Sequence, residues 1–237
     1  MMVLGLETAS PSGGAALFDG ERLLGVQLIN SSQAHSRLIL PAVQKMLEEN
    51  DLTIGDLGAV AVSAGPGSFT GVRVGLTLGK ALCEPSDGPG LVLVPTLEAL
   101  AARCWRGEAA EVVVPLLNAM RGEVYGAVFA PGDGGRMQRV EEDFVCAPEE
   151  IVKRVEGRVL FAGEGALAYR DLFEADFEDR AVWARADGFH PGPEQVALLG
   201  RERALRGEFA DPATAGPIYL REAKTSQPKR KPRRLEG

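Results

Sequence analysis

Hydrophobic positions along the chain fall into short blocks of changing rhythm. Val3 to Leu6 is a brief apolar run followed by the turn-rich Glu7-Thr8-Ala9-Ser10-Pro11-Ser12-Gly13-Gly14, and Ala15 to Phe18 is a second run closed by Asp19-Gly20. Runs bounded in this way predict strands, and a third is expected from Arg22 to Ile29. The period then lengthens. Leu38, Ile39, Ala42, Val43, Met46 and Leu47 recur at helical spacing between Ala34 and Asn50, with Pro41 marking either a kink or the start of the helix's main part. Further on, LVLVPT from Leu91 predicts a strand feeding a short helix from Leu97 to Arg103. A last helix is expected from Pro193 to Arg206, opened by prolines and closed by Gly207, with Pro217 to Arg221 as a short extended end.

The stretch AVSAGPGSFTGVRVGLTLGKAL, Ala61 to Leu82, joins a strand to a helix through a glycine turn. Gly65 and Gly67 allow the tight turn, and Ser68 or Thr70 can accept a hydrogen bond from the first free backbone N–H groups of the helix. Gly71, Gly75 and Gly79 then fall four apart on one stripe of that helix. Each costs about 1 kcal/mol relative to alanine, so the stripe implies the close approach of another backbone, in the same chain or in another subunit. No Lys precedes the Ser/Thr, which sets the turn apart from the phosphate loop of nucleotide-binding proteins.

The second half reads as a shortened copy of the first. Val3-Leu4-Gly5-Leu6-Glu7 through Ala16-Leu17-Phe18 aligns without a gap on Val114-Pro115-Leu116-Leu117-Asn118 through Ala127-Val128-Phe129. Likewise VAVSAGPGS from Val60 parallels RVLFAGEGA from Arg158. The fold class expected is therefore α/β, two tandem βα lobes: residues 1–105, residues 106–225, and a basic tail at 226–237.

Composition narrows the function classes. A formal charge of −7 over 237 residues argues against nonspecific nucleic-acid binding by the whole surface. No apolar run reaches membrane-spanning length, and the widely spaced Cys83, Cys104 and Cys146 read as reduced core thiols of a cytoplasmic protein. His35 and His190 are the only histidines, so no histidine-rich metal site is expected. The hydrolase elbow Gly-x-Ser-x-Gly is absent. Glu7 ends the first strand, where open α/β sheets place functional carboxylates, but its counterpart Asn118 cannot act as a general base. The tail KTSQPKRKPRRLEG has two readings, a solubilising end or a phosphate-contacting arm for RNA.

The duplicated strand-turn-strand opening resembles the actin and Hsp70 type of ATPase. That resemblance implies a nucleotide between the lobes, with phosphates against the two hairpins and the base near Gly163-Glu164-Gly165. More specifically, LGLETAS, HSRLILP from His35, SAGPGSFTGVRVGLTLGKAL from Ser63, RGEVYGAVF from Arg121 and PIYLR from Pro217 resemble, in order and spacing, the bacterial TsaB (YeaZ) family. The resemblance implies a subunit of the machinery that makes N6-threonylcarbamoyladenosine just 3′ of the anticodon in tRNAs reading codons that begin with A. In that family the catalytic relative TsaD carries the metal site, the ATPase TsaE joins the assembly, and TsaB is a non-catalytic partner that also forms homodimers.

Carried over, the pairing helices fall on Ala34 to Leu47 and Gly71 to Leu82. The interface residues implied are His35, Leu38, Ile39, Val43 and Met46 on the first, and Gly71, Val72, Gly75, Leu78 and Gly79 on the second, with the glycine stripe admitting a partner helix. A vestigial nucleotide site is implied at Glu7, Thr8, Asn118, Gly163 and Gly165, with no cofactor expected for the chain itself, ATP or ADP admitted only within the complex, and no metal. Glu7 stands where the family usually has Asp, and Asn118-Ala119-Met120-Arg121 where Asp-Ala-Arg is common. The competing expectation is a stand-alone ATPase or protease-like enzyme of the same fold.

Overall fold

A computed structural model describes residues 1–30, 34–84, 88–132 and 136–220; the basic tail at 226–237 lies outside the described residues, as does Arg221 of the PIYLR match. The first five apolar segments form one sheet. These are β1 (Met2–Glu7), β2 (Gly13–Asp19), β3 (Arg22–Ile29), β4 (Leu57–Ser63) and β5 (Gly90–Val94), in the order β3-β2-β1-β4-β5. The β1–β2 and β2–β3 pairs are antiparallel, because short turns join them, whereas β1–β4 and β4–β5 are parallel and joined through helices. Helices α1 (His35–Glu48) and α2 (Phe69–Cys83) supply those crossovers. Pro41 sits inside α1, which runs on through it to Glu48.

Strand β1 shows why two helical layers are needed. Val3, Leu4 and Leu6 are all fully buried, so both faces of the strand must be covered. Leu4, Leu6, Val60 and Val62 pack with Ile39, Val43, Met46 and Leu76 from α1 and α2. On the opposite face, Val3, Ala59, Ala61, Val92 and Val94 pack with Val196, Ala197 and Ala204.

After β5 the chain forms α3 (Thr96–Cys104) and a second sheet of β6 (Val112–Met120), β7 (Glu123–Pro131), β8 (Met137–Cys146), β9 (Val159–Ala162) and β10 (Ala181–Trp183). Its order, β10-β9-β6-β7-β8, and its pattern of antiparallel and parallel pairs repeat the first sheet strand for strand. The expected duplication is thus present in the topology. The cover of this copy is shorter: a 3-10 segment at Pro148–Lys153, α4 (Glu164–Ala168) and α5 (Arg170–Phe177). Aromatic bulk compensates, with the Phe161 ring 4.7 Å from Phe173, 5.0 Å from Phe177 and 5.5 Å from Trp183.

The final helix, α6 (Pro193–Leu205), returns to the first sheet and supplies its second layer, with Gly5 and Gly200 allowing the contact. A Cβ on Gly200 would stand 2.1 Å from that of Ala61. Helix α3, although it follows β5, packs Leu97, Leu100 and Cys104 against Val113, Leu117 and Leu160 of the second sheet. The lobes therefore exchange their last helices. Two part-buried ion pairs join those helices, Arg203 to Glu98 at 2.7 Å and Arg103 to Glu194 at 3.0 Å.

Candidate functional site: the cleft between the hairpins and the outer helical face

The two hairpin tips face one another across a cleft of about 600 Å³, lined by Gly67, Ser68, Thr70, Asn118, Met120 and Glu164 among others. Small hydroxyls are abundant on the first-lobe side, and those of Thr8, Ser10 and Ser68 are committed to the chain's own backbone. Thr8 Oγ1 donates to the Gly71 carbonyl at 2.7 Å, Ser10 Oγ donates to the Ser12 carbonyl at 2.9 Å, and Ser68 Oγ caps α2 by accepting from Gly71 N at 3.2 Å. The Ser68 N–H donates to the Ala9 carbonyl at 2.7 Å, drawing the glycine turn against the hairpin. Gly67 is needed for that approach, since its Cβ would meet the Ala9 carbonyl at 2.5 Å.

Glu7 is fully buried. Its Oε1 accepts from the Ser10 N–H at 2.9 Å, and its Oε2 accepts from Ser63 Oγ. Burial drives its pKa above the ordinary 4.5, against the opposing pull of Ser63 and the backbone N–H groups of Ser10 and Ala9. On the second hairpin Asn118 is exposed, and its Oδ1 accepts from the Met120 N–H at 2.7 Å. Gly163 takes φ +93° and lies so close to β6 that a Cβ would stand 2.1 Å from the Leu116 carbonyl; Gly165 is held against Leu117. Glu164 brings the carboxylate nearest the cleft. Desolvation raises its pKa, and a backbone hydrogen bond from Asn118 pulls it the other way.

The geometry does not fit a metal-bound phosphate site. The first carboxyl is buried and hydrogen-bonded, the second position is an amide, and the Thr8, Ser10 and Ser68 hydroxyls already have backbone partners. Among the described residues no group of three or more His, Cys, Asp or Glu side chains is placed to hold a metal ion. The three cysteines are buried and free, and burial pushes the thiols of Cys83 and Cys104 up to about 11 and about 12, so neither supplies a thiolate nucleophile.

The second candidate site is the outer surface of α1 and α2. The helical stripe named from the sequence faces inward: His35, Ile39, Val43, Met46 and Val72 are buried on their own sheet. The glycine stripe faces the same way. A Cβ at Gly71 would stand 1.9 Å from the Thr8 carbonyl, at Gly75 2.4 Å from Thr8 Oγ1, and at Gly79 2.4 Å from Val62 Cγ2. This corrects the expectation that the stripe admits a partner helix. A helix laid on a sheet puts its most regular apolar stripe on the sheet, and the glycines let α2 settle against β1 and β4.

Outward lie residues beside that stripe. Leu38, Leu40 and Phe69 are 49%, 43% and 44% exposed, and a groove of about 530 Å³ runs between the helices, lined by Leu40, Phe69, Arg73, Val74, Thr77 and Leu78 among others. Leu38 and Leu78 are legible in the sequence as surface candidates; Leu40, Phe69 and Arg73 are not. The only signal of Leu40 and Phe69 is that apolar residues fall off the helical stripe, and Arg73 leaves none.

Two five-stranded sheets of identical topology with a cleft between their hairpins define an actin-like ATPase fold. The Thermus thermophilus ROK hexokinase shares this fold, at 15% identity and a TM-score of 0.50 over 86% of this chain and all of that one. The family model of TsaD, tRNA N6-adenosine threonylcarbamoyltransferase, matches residues 24–228. Similarity is more detailed to the tRNA threonylcarbamoyladenosine biosynthesis protein TsaB of Bacillus subtilis, 30% identical over 93% of this chain and 94% of that one. The TsaB of Escherichia coli is 29% identical over 93% and 95%. YeaZ from Pseudomonas aeruginosa superposes with a TM-score of 0.74 at 27% identity, over 92% of this chain and 100% of that one. The chain belongs to the TsaB (YeaZ) family, whose role lies in tRNA threonylcarbamoyladenosine biosynthesis.

Proposed function

We propose that this chain is a non-catalytic subunit that pairs with a TsaD-type transferase through the outer face of α1 and α2, with TsaE joining the assembly and tRNA engaged by the complex. The observation that carries this reading is the apolar outer face, where Leu40 and Phe69 line the interhelical groove and Leu38 is exposed elsewhere on α1. Large apolar side chains grouped on one helical surface suit a protein contact. The cleft supports the same reading from the other side, because Glu7 and Asn118 do not form a carboxylate pair there. Alone, the same face serves a homodimer.

The test is the mass of the protein in solution, alone and mixed with a TsaD-type partner, for the natural chain and for Leu38→Glu and Phe69→Glu. A heterodimer that both variants lose, with folding unchanged, supports the assignment. A monomer indifferent to the partner would overturn it, and ATP hydrolysis or peptide cleavage by the purified chain would then favour an independent enzyme.

A further inference from the structure

The groove between α1 and α2 has a neighbour on the far side of α2. There, between the helix and the returning segment 215–219, lies a second groove of about 440 Å³, lined by Arg73, Leu76, Thr77, Lys80, Pro217 and Tyr219 among others. The Ile218 N–H donates to the Ala64 carbonyl at 2.7 Å, which fixes the segment beside the helix. Arg73 and Thr77 line both grooves, so the outer side of α2 is a ridge between them.

Charge on this ridge runs against that of the chain. Arg73 and Lys80 are the only charged residues of α2, and α1 contributes Arg37, Lys45 and Glu48. The two helices thus carry four cations against one carboxylate, a formal +3, in a chain of −7 whose remainder carries −10. Neither groove is lined by an Asp or a Glu among the described residues. Lys45 pairs with Glu49 at 3.6 Å, whereas Arg73 and Lys80 form no ion pair with a described residue. Lys80 also borders a groove lined in part by Glu84 and Asp211, and it pairs with neither.

A partner seated on this ridge takes both cations out of water. A desolvated cation without a counter-charge weakens a complex, while one that meets a carboxylate steers and strengthens it. A second copy of the chain brings the same grooves, with cations and no acid. We infer that the pairing face is charge-selective: it fits a partner that sets carboxylates against Arg73 and Lys80, and it fits a second copy less well. The inference rests on the proposed pairing role and adds the chemistry that the partner must bring. Arg73 and Lys80 are then specificity determinants, attracting an acidic helical face and repelling their own kind.

The test measures association of the full chain with itself and with the TsaD-type partner by sedimentation, from about 0.05 to about 0.5 M salt, a range that removes most attraction between exposed charges. Natural chain, Arg73→Glu, Arg73→Lys and Lys80→Glu are compared, with the urea midpoint as the check on folding. Expected is a natural heterodimer that weakens with salt, and a loss of about tenfold or more for Arg73→Glu at low salt with a flatter salt dependence. Arg73→Lys, which keeps the charge, should retain most of the affinity, and Lys80→Glu should act in the same direction as Arg73→Glu and less. The homodimer should not weaken in Arg73→Glu. Heteropairing unmoved by Arg73→Glu overturns the inference, as does an equal loss in homodimer and heterodimer, or a loss in Arg73→Lys as large as in Arg73→Glu. The two proposals fail separately: pairing that Leu38→Glu abolishes and Arg73→Glu leaves intact overturns the charge reading alone, whereas a natural chain that does not pair overturns the pairing reading and this one with it.

Discussion

The two lobes share one strand order and differ in almost everything laid upon it. In the first, α1 and α2 span 14 and 15 residues, and their outer side keeps Leu38, Leu40 and Phe69 in solvent. In the second, the equivalent cover is a 3-10 segment and helices of five and eight residues over an aromatic core. Carboxylate chemistry diverged too, with Glu7 buried at the end of β1 and Asn118 exposed near the end of β6. Duplicated frames can thus diverge in role, because the sheet depends on its buried strands while the helical layer and hairpin tips vary around it.

The largest test of this contrast is Gly75→Leu. Because that position lies against Thr8 and Val62, the variant should lose about 3 kcal/mol or more of stability, seen as a lower urea midpoint. An unchanged midpoint with abolished pairing would instead return the stripe to a partner helix. Next, Leu38→Glu and Phe69→Glu should each weaken pairing by about tenfold or more while stability moves by about 0.5 kcal/mol or less. An equal fall in stability would mean that the outer face belongs to the core.

A smaller effect is expected at Glu7. Its folded pKa lies above 4.5, so the native state holds that proton more tightly than the unfolded chain does. Stability contributed by the protonated acid therefore falls as pH rises from about 4.5 through the folded value, and Glu7→Gln should flatten that descent in urea titrations from about pH 4 to about pH 8. The smallest effect belongs to Asn118→Asp. With an exposed side chain that accepts from the Met120 N–H, this position should change stability by about 0.5 kcal/mol or less, and no ATP hydrolysis should appear, since Glu7 stays buried.

Much of the frame is legible in the sequence. Turn residues bracket β1, β2 and β3, and the gap-free match of Val3–Phe18 to Val114–Phe129 points to the duplication. Strand β8, which places the charged Arg139, Glu141 and Asp143 at half-buried positions and Val140 in solvent, carries little apolar signal. Strand β10, Ala181-Val182-Trp183, is apolar but too short to show a period. Helical periodicity reports truthfully that α1 and α2 have a regular apolar side, but periodicity does not say whether that side meets a sheet or another subunit. The stacking of Tyr219 on Phe69 joins residues 150 positions apart and has no local trace in the sequence.

The exchange of α3 and α6 between lobes bears on how the protein is made. The first sheet is complete once β5 has been synthesised, yet one face stays bare until Leu205 emerges, because α6 comes last. At roughly 5–20 residues per second, that face waits several seconds on the ribosome. Splitting the gene near Trp105 would give a first half with an uncovered sheet and a second half deprived of α3, so neither fragment should stay in solution unless the two are synthesised together.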